Sequence, residues 1–226
     1  GGTVNGAGAF TFKGAFTDSG TWNGTGNFTF ASGSEKNITG KASKVYPFTT
    51  VSGKAKFVED FTIGGNGLWI NGGTVSVESG KTLTVNSNVS KASGTLSGNG
   101  TIKIKNNFTD AGTTSISNII FFGDNAHAFS NVAGYQYNTI KLDSSIVSSV
   151  NFTVNNNAKI TTFTDESAES NVTFNGTATL GSLTVTNAST YTFSKDATIT
   201  SLSDGTGGFY DFKANATVNS AVTFSK

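Results

Sequence analysis

The stretch Val172–Leu180 reads VTFNGTATL, and three others repeat its pattern: FTVNNNAKI at Phe152–Ile160, YTFSKDATI at Tyr191–Ile199 and YDFKANATV at Tyr210–Val218. Laid over one another they give a column Val154, Phe174, Phe193, Phe212, stepping by 20, 19 and 19 residues. Four residues on come Ala158, Ala178, Ala197 and Ala216, and two further Ile160, Leu180, Ile199 and Val218. A period of about 20 residues held in register is the signature of a solenoid or array. Within each copy apolar and polar residues alternate, as in Val172-Thr173-Phe174 and Leu183-Thr184-Val185. Period two with β-branched and aromatic residues predicts strands. Gly, Asn, Asp and Ser between them are turn formers. No stretch carries capped helical periodicity.

The N-terminal half repeats too. Gly2–Phe12 reads GTVNGAGAFTF and Gly20–Phe30 reads GTWNGTGNFTF, identical at eight of eleven positions. Gly94–Ile104, GTLSGNGTIKI, reads as a third copy, with Ile102 and Ile104 as the inward pair in place of the two Phe and Lys103 and Lys105 facing solvent.

Short strands at this period suit an all-β parallel β-helix of roughly 19–20 residues per coil. Coils stacking at about 4.8 Å would give about 11 coils over the chain. The columns above become inward ladders, and Thr153, Thr173 and Thr192 an outward one. An antiparallel sandwich is the alternative, but it demands no fixed register between repeats. The chain reads as a single β-helix segment over residues 1–226. It starts at Gly1-Gly2 and stops on Ser225-Lys226 in mid-pattern, as a fragment of a longer protein would. Three stretches break the rhythm: 34–50, 123–138 and 204–212. Solenoid insertions map to loops on one face, often a binding face.

Composition narrows the chemistry. The 226 residues include 28 Gly, 19 Phe, 1 Pro and no Cys, with charged residues at 13%. All 15 cations are Lys, and the net charge of +1 leaves no electrostatic footprint for nucleic acid. Without Cys there are no disulfides, thiolate metal sites or Cys nucleophiles. No apolar run reaches the roughly 18 residues of a membrane span. The glycine clusters fail as phosphate loops: after Gly98 and Gly100 the third glycine's place is Lys103, and no helix follows. His127, the sole histidine, is flanked by Asp124 and Ser130 but reads as a solvated loop residue, with no glycine-framed serine to serve. Asp165, Glu166 and Glu169 read as a solvated acidic turn, not as a calcium loop. Eleven N-x-[ST] sequons read as turn asparagines beside Thr-rich strands. The outward threonines look one residue wide, with Lys159 interrupting Thr179, Thr198 and Thr217, which weakens an ice-binding reading. No catalytic, metal or cofactor site is expected.

Gly94, Leu96, Gly98, Gly100, Thr101 and Ile102 fit the G-x-L-x-G-x-G-T-[IV] run of the passenger-associated repeat of bacterial autotransporters, with Asp110-Ala111-Gly112 departing from its N-x-G turn. The wider texture, poor in charge, free of Cys and rich in Thr, Asn, Gly and Phe, resembles type V passengers, including vacuolating-toxin-like and hemagglutinin-type adhesins. The resemblance implies a right-handed β-helix at a Gram-negative cell surface or secreted, reaching a membrane through a separate translocator. It implies a non-enzymatic adhesin whose partner is a host-cell surface protein or glycan. Contacts are expected from exposed loop aromatics, Tyr46, Tyr135, Tyr137 and Tyr210. A toxin segment, a structural spacer and a polysaccharide-active β-helix enzyme are the alternatives.

Overall fold

In the computed structural model, which describes residues 2–219 and 222–224, the chain is all-β, and its strands stack in parallel about one coil of 20 residues apart. This is the β-solenoid the periodicity predicts. Gly1 and the Ser225-Lys226 end lie outside the described residues. The chain divides into two compact units, Gly1–Ile104 with Asp110–Ser117, and Lys105–Thr109 with Asn118–Lys226.

In the first unit each full coil contributes to three sheets. One stacks Phe10–Phe12, Phe28–Phe30, Thr49–Val51, Leu68–Ile70 and Val89–Lys91. The second stacks Phe16–Thr17, Lys36–Thr39, Lys54–Phe57, Thr74–Val77, Thr95–Ser97 and Thr113–Thr114. The third stacks Val45–Tyr46, Phe61–Ile63, Thr82–Val85 and Thr101–Ile104. Alternation sets the faces: in Leu83-Thr84-Val85 the two aliphatic residues are fully buried and the threonine looks out. Phe12, Phe16, Trp22, Phe28 and Phe30 pack edge to face or tilted, the arrangement aromatic quadrupoles prefer.

The glycine-rich stretch at 94–104 corrects one expectation. Ile102 and Ile104 are inward and fully buried, but their strand belongs to the third sheet, whereas Phe10–Phe12 and Phe28–Phe30 belong to the first. The shared glycines mark a common way of turning, reused at a different corner. Gly53, Gly73 and Gly94 stand one above another between the first two sheets, bonded through Thr74 N to Gly53 O (2.7 Å) and Thr95 N to Gly73 O (2.9 Å).

The second unit is built on two long sheets. Phe108 and Thr109 pair with Phe129 and Ser130, and Val150–Val154, Ser170–Phe174, Thr190–Phe193 and Phe209–Phe212 follow. The other sheet stacks Asn118–Phe121, Gln136–Leu142, Ala158–Asp165, Ala178–Val185 and Ala197–Asp204, the last of which pairs with Ala216–Val218 at its start and Thr223–Phe224 at its end. The column Val154, Phe174, Phe193, Phe212 and its alanine and aliphatic companions lie in the register the repeats predict. The eight-residue strands break phase once. At Thr161-Thr162, Gly181-Ser182 and Thr200-Ser201 two successive residues face out before burial resumes. Such a bulge-like break bends a strand, so one long strand covers a bend that the first unit makes with a turn.

The stretches expected as loop excursions hold rungs as well as turns. Residues 34–50 hold Lys36–Thr39, Val45–Tyr46 and the start of Thr49–Val51, 123–138 hold His127–Ser130 and the start of Gln136–Leu142, and 204–212 hold Phe209–Phe212. Lys36 and Pro47 disturb the sequence pattern from half-exposed positions, and His127 from an inward one, without breaking the ladder.

Candidate functional site

Tyrosines and acids supply several of the buried hydrogen-bonding side chains that close the turns. Tyr46 and Tyr137 are buried in the core, which corrects their assignment as exposed contacts. Each hydroxyl accepts from an amide five residues upstream: Lys41 N to Tyr46 Oη at 3.0 Å, and Val132 N to Tyr137 Oη at 3.0 Å. The same device closes the turn in two of the disrupted stretches, 34–50 and 123–138. The ring fills core volume while the hydroxyl satisfies a turn amide that a strand partner does not reach. Tyr46 also donates to Asp18 Oδ2 (2.7 Å), and its ring stacks on Phe61 at 4.2 Å. Tyr135 is half-buried against Tyr137. Tyr210 is half-buried, stacks on Tyr191 and donates to Asp204 Oδ2 (3.1 Å).

The acids are spent in the same way. Asp165, expected in a solvated turn, is fully buried. It accepts from the Ser167 amide (3.0 Å) and hydroxyl and from Tyr191 Oη (2.7 Å). Burial and this carboxylate raise the Tyr191 phenol well above its ordinary value. Asp204, two coils' worth of register from Asp165, accepts the amides of Thr206, Gly207 and Gly208 at 3.0, 2.9 and 2.6 Å. These bonds outweigh burial and hold its carboxyl below the usual range. Both are Asx-type turn locks, each accepting amides of the residues that follow it.

His127 is inward and buried, not a loop residue in solvent. Its Nδ1 lies 3.1 Å from Asn106 O and its Nε2 3.1 Å from Gly123 O. A neutral ring carries one N–H, so it donates to one carbonyl at a time. Burial dominates over both carbonyls and holds the imidazole below its ordinary value of 6.5. The unfolded chain then takes up a proton that the folded unit refuses. The second unit is expected to keep constant stability above about pH 6.5 and to lose it as the pH falls below that value. His127→Gln is expected to flatten this slope. Thermal melts from pH 8 to 5 check it.

What faces outward is different in kind. On the longer sheet of the second unit three outward columns run side by side. Lys159, Thr179, Thr198 and Thr217 form one, Thr139, Thr162, Ser182 and Ser201 the next, and Lys141, Thr164, Thr184 and Ser203 the third. The array is thus wider than the single column expected from sequence, because the phase break turns Thr162 and Thr164 and their register partners outward. Hydroxyls repeat at about 4.8 Å across coils and about 6.6 Å along each strand where alternation holds. Lys141 is paired with Glu166 at 2.6 Å. Beside Lys159 a small notch opens, lined by Gly134, Asn157, Thr177 and Thr179. In the first unit the outward column Thr29, Thr50, Trp69, Ser90 presents Trp69, 39% exposed, among hydroxyls. No group of three or more His, Cys, Asp or Glu side chains is placed to hold a metal ion among the described residues. No helix is long and apolar enough to cross a membrane among them either, which leaves β-barrel insertion unaddressed.

No protein-family model matches the chain, and no curated protein and no solved structure matches it either. The hydroxyl columns were readable as Thr repeats. The inward turn of the tyrosines was not, because Tyr46 and Tyr137 sit where the sequence pattern is most disturbed. The signal that could have found them is the spacing of each ring five residues after a turn amide.

Proposed function

We propose that the chain is a non-enzymatic segment of an autotransporter-type passenger, displayed on a bacterial surface or secreted. In this reading it is an adhesin that binds a host-cell surface glycan or protein. The observation that carries the reading is the division of labour in the second unit. Its buried ionisable side chains Asp165, Asp204 and His127 are bonded to the unit's own turns, while uncharged hydroxyls are arrayed in columns on its outer face. Acid–base chemistry needs groups that reach a substrate; recognition of polyols needs placed donors and acceptors with little desolvation cost, which hydroxyls supply. The binding surface in this reading is the hydroxyl face with the Lys159 notch, in place of the tyrosine loops.

The test is binding of the purified chain to host cells and to an immobilised glycan panel. Saturable binding is expected, with at least a tenfold loss in the outward variant Thr179→Glu/Thr198→Glu and no change in its melting temperature. Absence of binding to any cell or glycan, or turnover of a polysaccharide, would overturn the adhesin reading. Leakage of dye from liposomes would replace it with a membrane-active one.

A further inference from the structure

In the first unit the inward column Phe12, Phe30, Val51, Ile70 continues onto Lys91. A lysine thus stands where four coils place apolar side chains. Its side chain is fully buried, and so is that of Asp110, whose Oδ1 lies 2.6 Å from Lys91 Nζ. Around this contact the coil is specific. Lys91 Nζ also donates to Thr113 O (2.9 Å), which fixes the amine's direction. The Gly112 amide donates to Asp110 Oδ1 (3.1 Å), and the Thr114 hydroxyl to Asp110 Oδ2 (2.9 Å). Thr114 itself is buried, so no bulk water competes. A buried ion pair of this kind carries a desolvation cost that the mutual attraction repays only in part.

We propose that Lys91 and Asp110 join spontaneously as an intramolecular amide, a covalent rung between neighbouring coils. A proton passes from the ammonium to Asp110 Oδ2, leaving a neutral amine and a neutral acid. The Nζ lone pair then forms a bond to Cγ, the Cγ–Oδ2 bond breaks, and Oδ2 leaves as water with a second proton from Nζ. Oδ1 remains as the amide carbonyl, so no oxidant or cofactor is required. Burial already favours the uncharged amine, lowering the Lys91 value from its ordinary one. The Gly112 N–H faces the oxygen on which negative charge develops as the tetrahedral intermediate forms. The Thr114 hydroxyl sits on the leaving oxygen, where it relays the proton. Holding amine and carboxyl in contact replaces a bimolecular condensation by one with an effective molarity of about 10⁵ M or more. In a chain without cysteine this amide does what a disulfide does elsewhere, closing the loop from 91 to 110.

The experiment is intact-protein mass spectrometry of the folded chain after incubation at neutral pH. The expected mass is one water below that of the sequence, with a branched peptide joining the Lys91 and Asp110 segments on digestion. The full sequence mass would overturn the proposal. Asp110→Ala is expected to restore the full mass. If that variant does not fold, amine acetylation of the denatured wild-type chain decides. Lys91 unmodified among acetylated lysines supports the amide, and acetylated Lys91 excludes it.

Discussion

Gly94→Val is expected to destabilise the first unit by about 3–5 kcal/mol. Gly94 has φ +91°, a conformation that β-branched residues avoid, and a Cβ there would lie 2.1 Å from Gly73 O. That oxygen cannot retreat, because it accepts the Thr95 amide. The same crowding holds one coil earlier, where a Cβ on Gly73 would meet Gly53 O at 2.6 Å, so relief at one coil is passed to the next. Gly80→Val separates the two causes. Gly80 also has positive φ (+73°) but no atom within 4 Å of a Cβ. It carries the conformational term alone, about 1–2 kcal/mol. Urea denaturation of both variants measures the difference as a shift in midpoint at unchanged slope.

Phe193→Ala is expected to cost the second unit about 3–5 kcal/mol. The ring is fully buried. It stacks on Phe174 at 5.1 Å and 3° and on Phe212 at 4.9 Å and 10°. Truncation therefore removes two ring contacts and leaves a cavity bounded by other coils, whose spacing is fixed by backbone bonds and cannot collapse around it. Phe193→Leu keeps most of the volume and loses the stacking, for about 1–2 kcal/mol. Because each coil contacts its neighbours, the damage is expected to spread along the unit and lower its cooperativity. Calorimetry of the two variants, with hydrogen exchange at Val172 and Tyr191, checks both parts.

The fold was legible where the sequence repeats most strictly. Val154, Phe174, Phe193 and Phe212 could be stacked from spacing alone, since an inward ladder tolerates few residue types and tolerates them at one period. Corners were harder. GTLSGNGTIKI matches the two N-terminal copies in glycine spacing, yet its strand joins a different sheet, because glycine records close backbone approach and not which face follows. The candidate site was misread for a related reason. Tyr46, Tyr137, Asp165 and His127 are polar residues in irregular stretches, which sequence reasoning assigns to the surface. Each is buried with its polar atom satisfied by a turn, and a partner such as Asp18 for Tyr46, 28 residues away, is invisible to local pattern. The width of the hydroxyl face was missed because it depends on the phase break at Gly181-Ser182, which strict alternation does not anticipate. Asp110-Ala111-Gly112 read as a turn variant, with nothing to announce that its acid meets Lys91 inside the coil.

The central claim is parallel, in-register stacking of coils, and a chain without native cysteine makes it directly measurable. Thr173 and Thr192 are register partners on the outward face, and Thr153 lies one coil beyond Thr173. Spin labels on Thr173→Cys/Thr192→Cys are expected to show strong dipolar broadening from backbones about 4.8 Å apart, and on Thr153→Cys/Thr192→Cys weaker broadening from backbones about 10 Å apart. Unbroadened spectra from both pairs, in variants that melt like the parent, would contradict the stacked ladder.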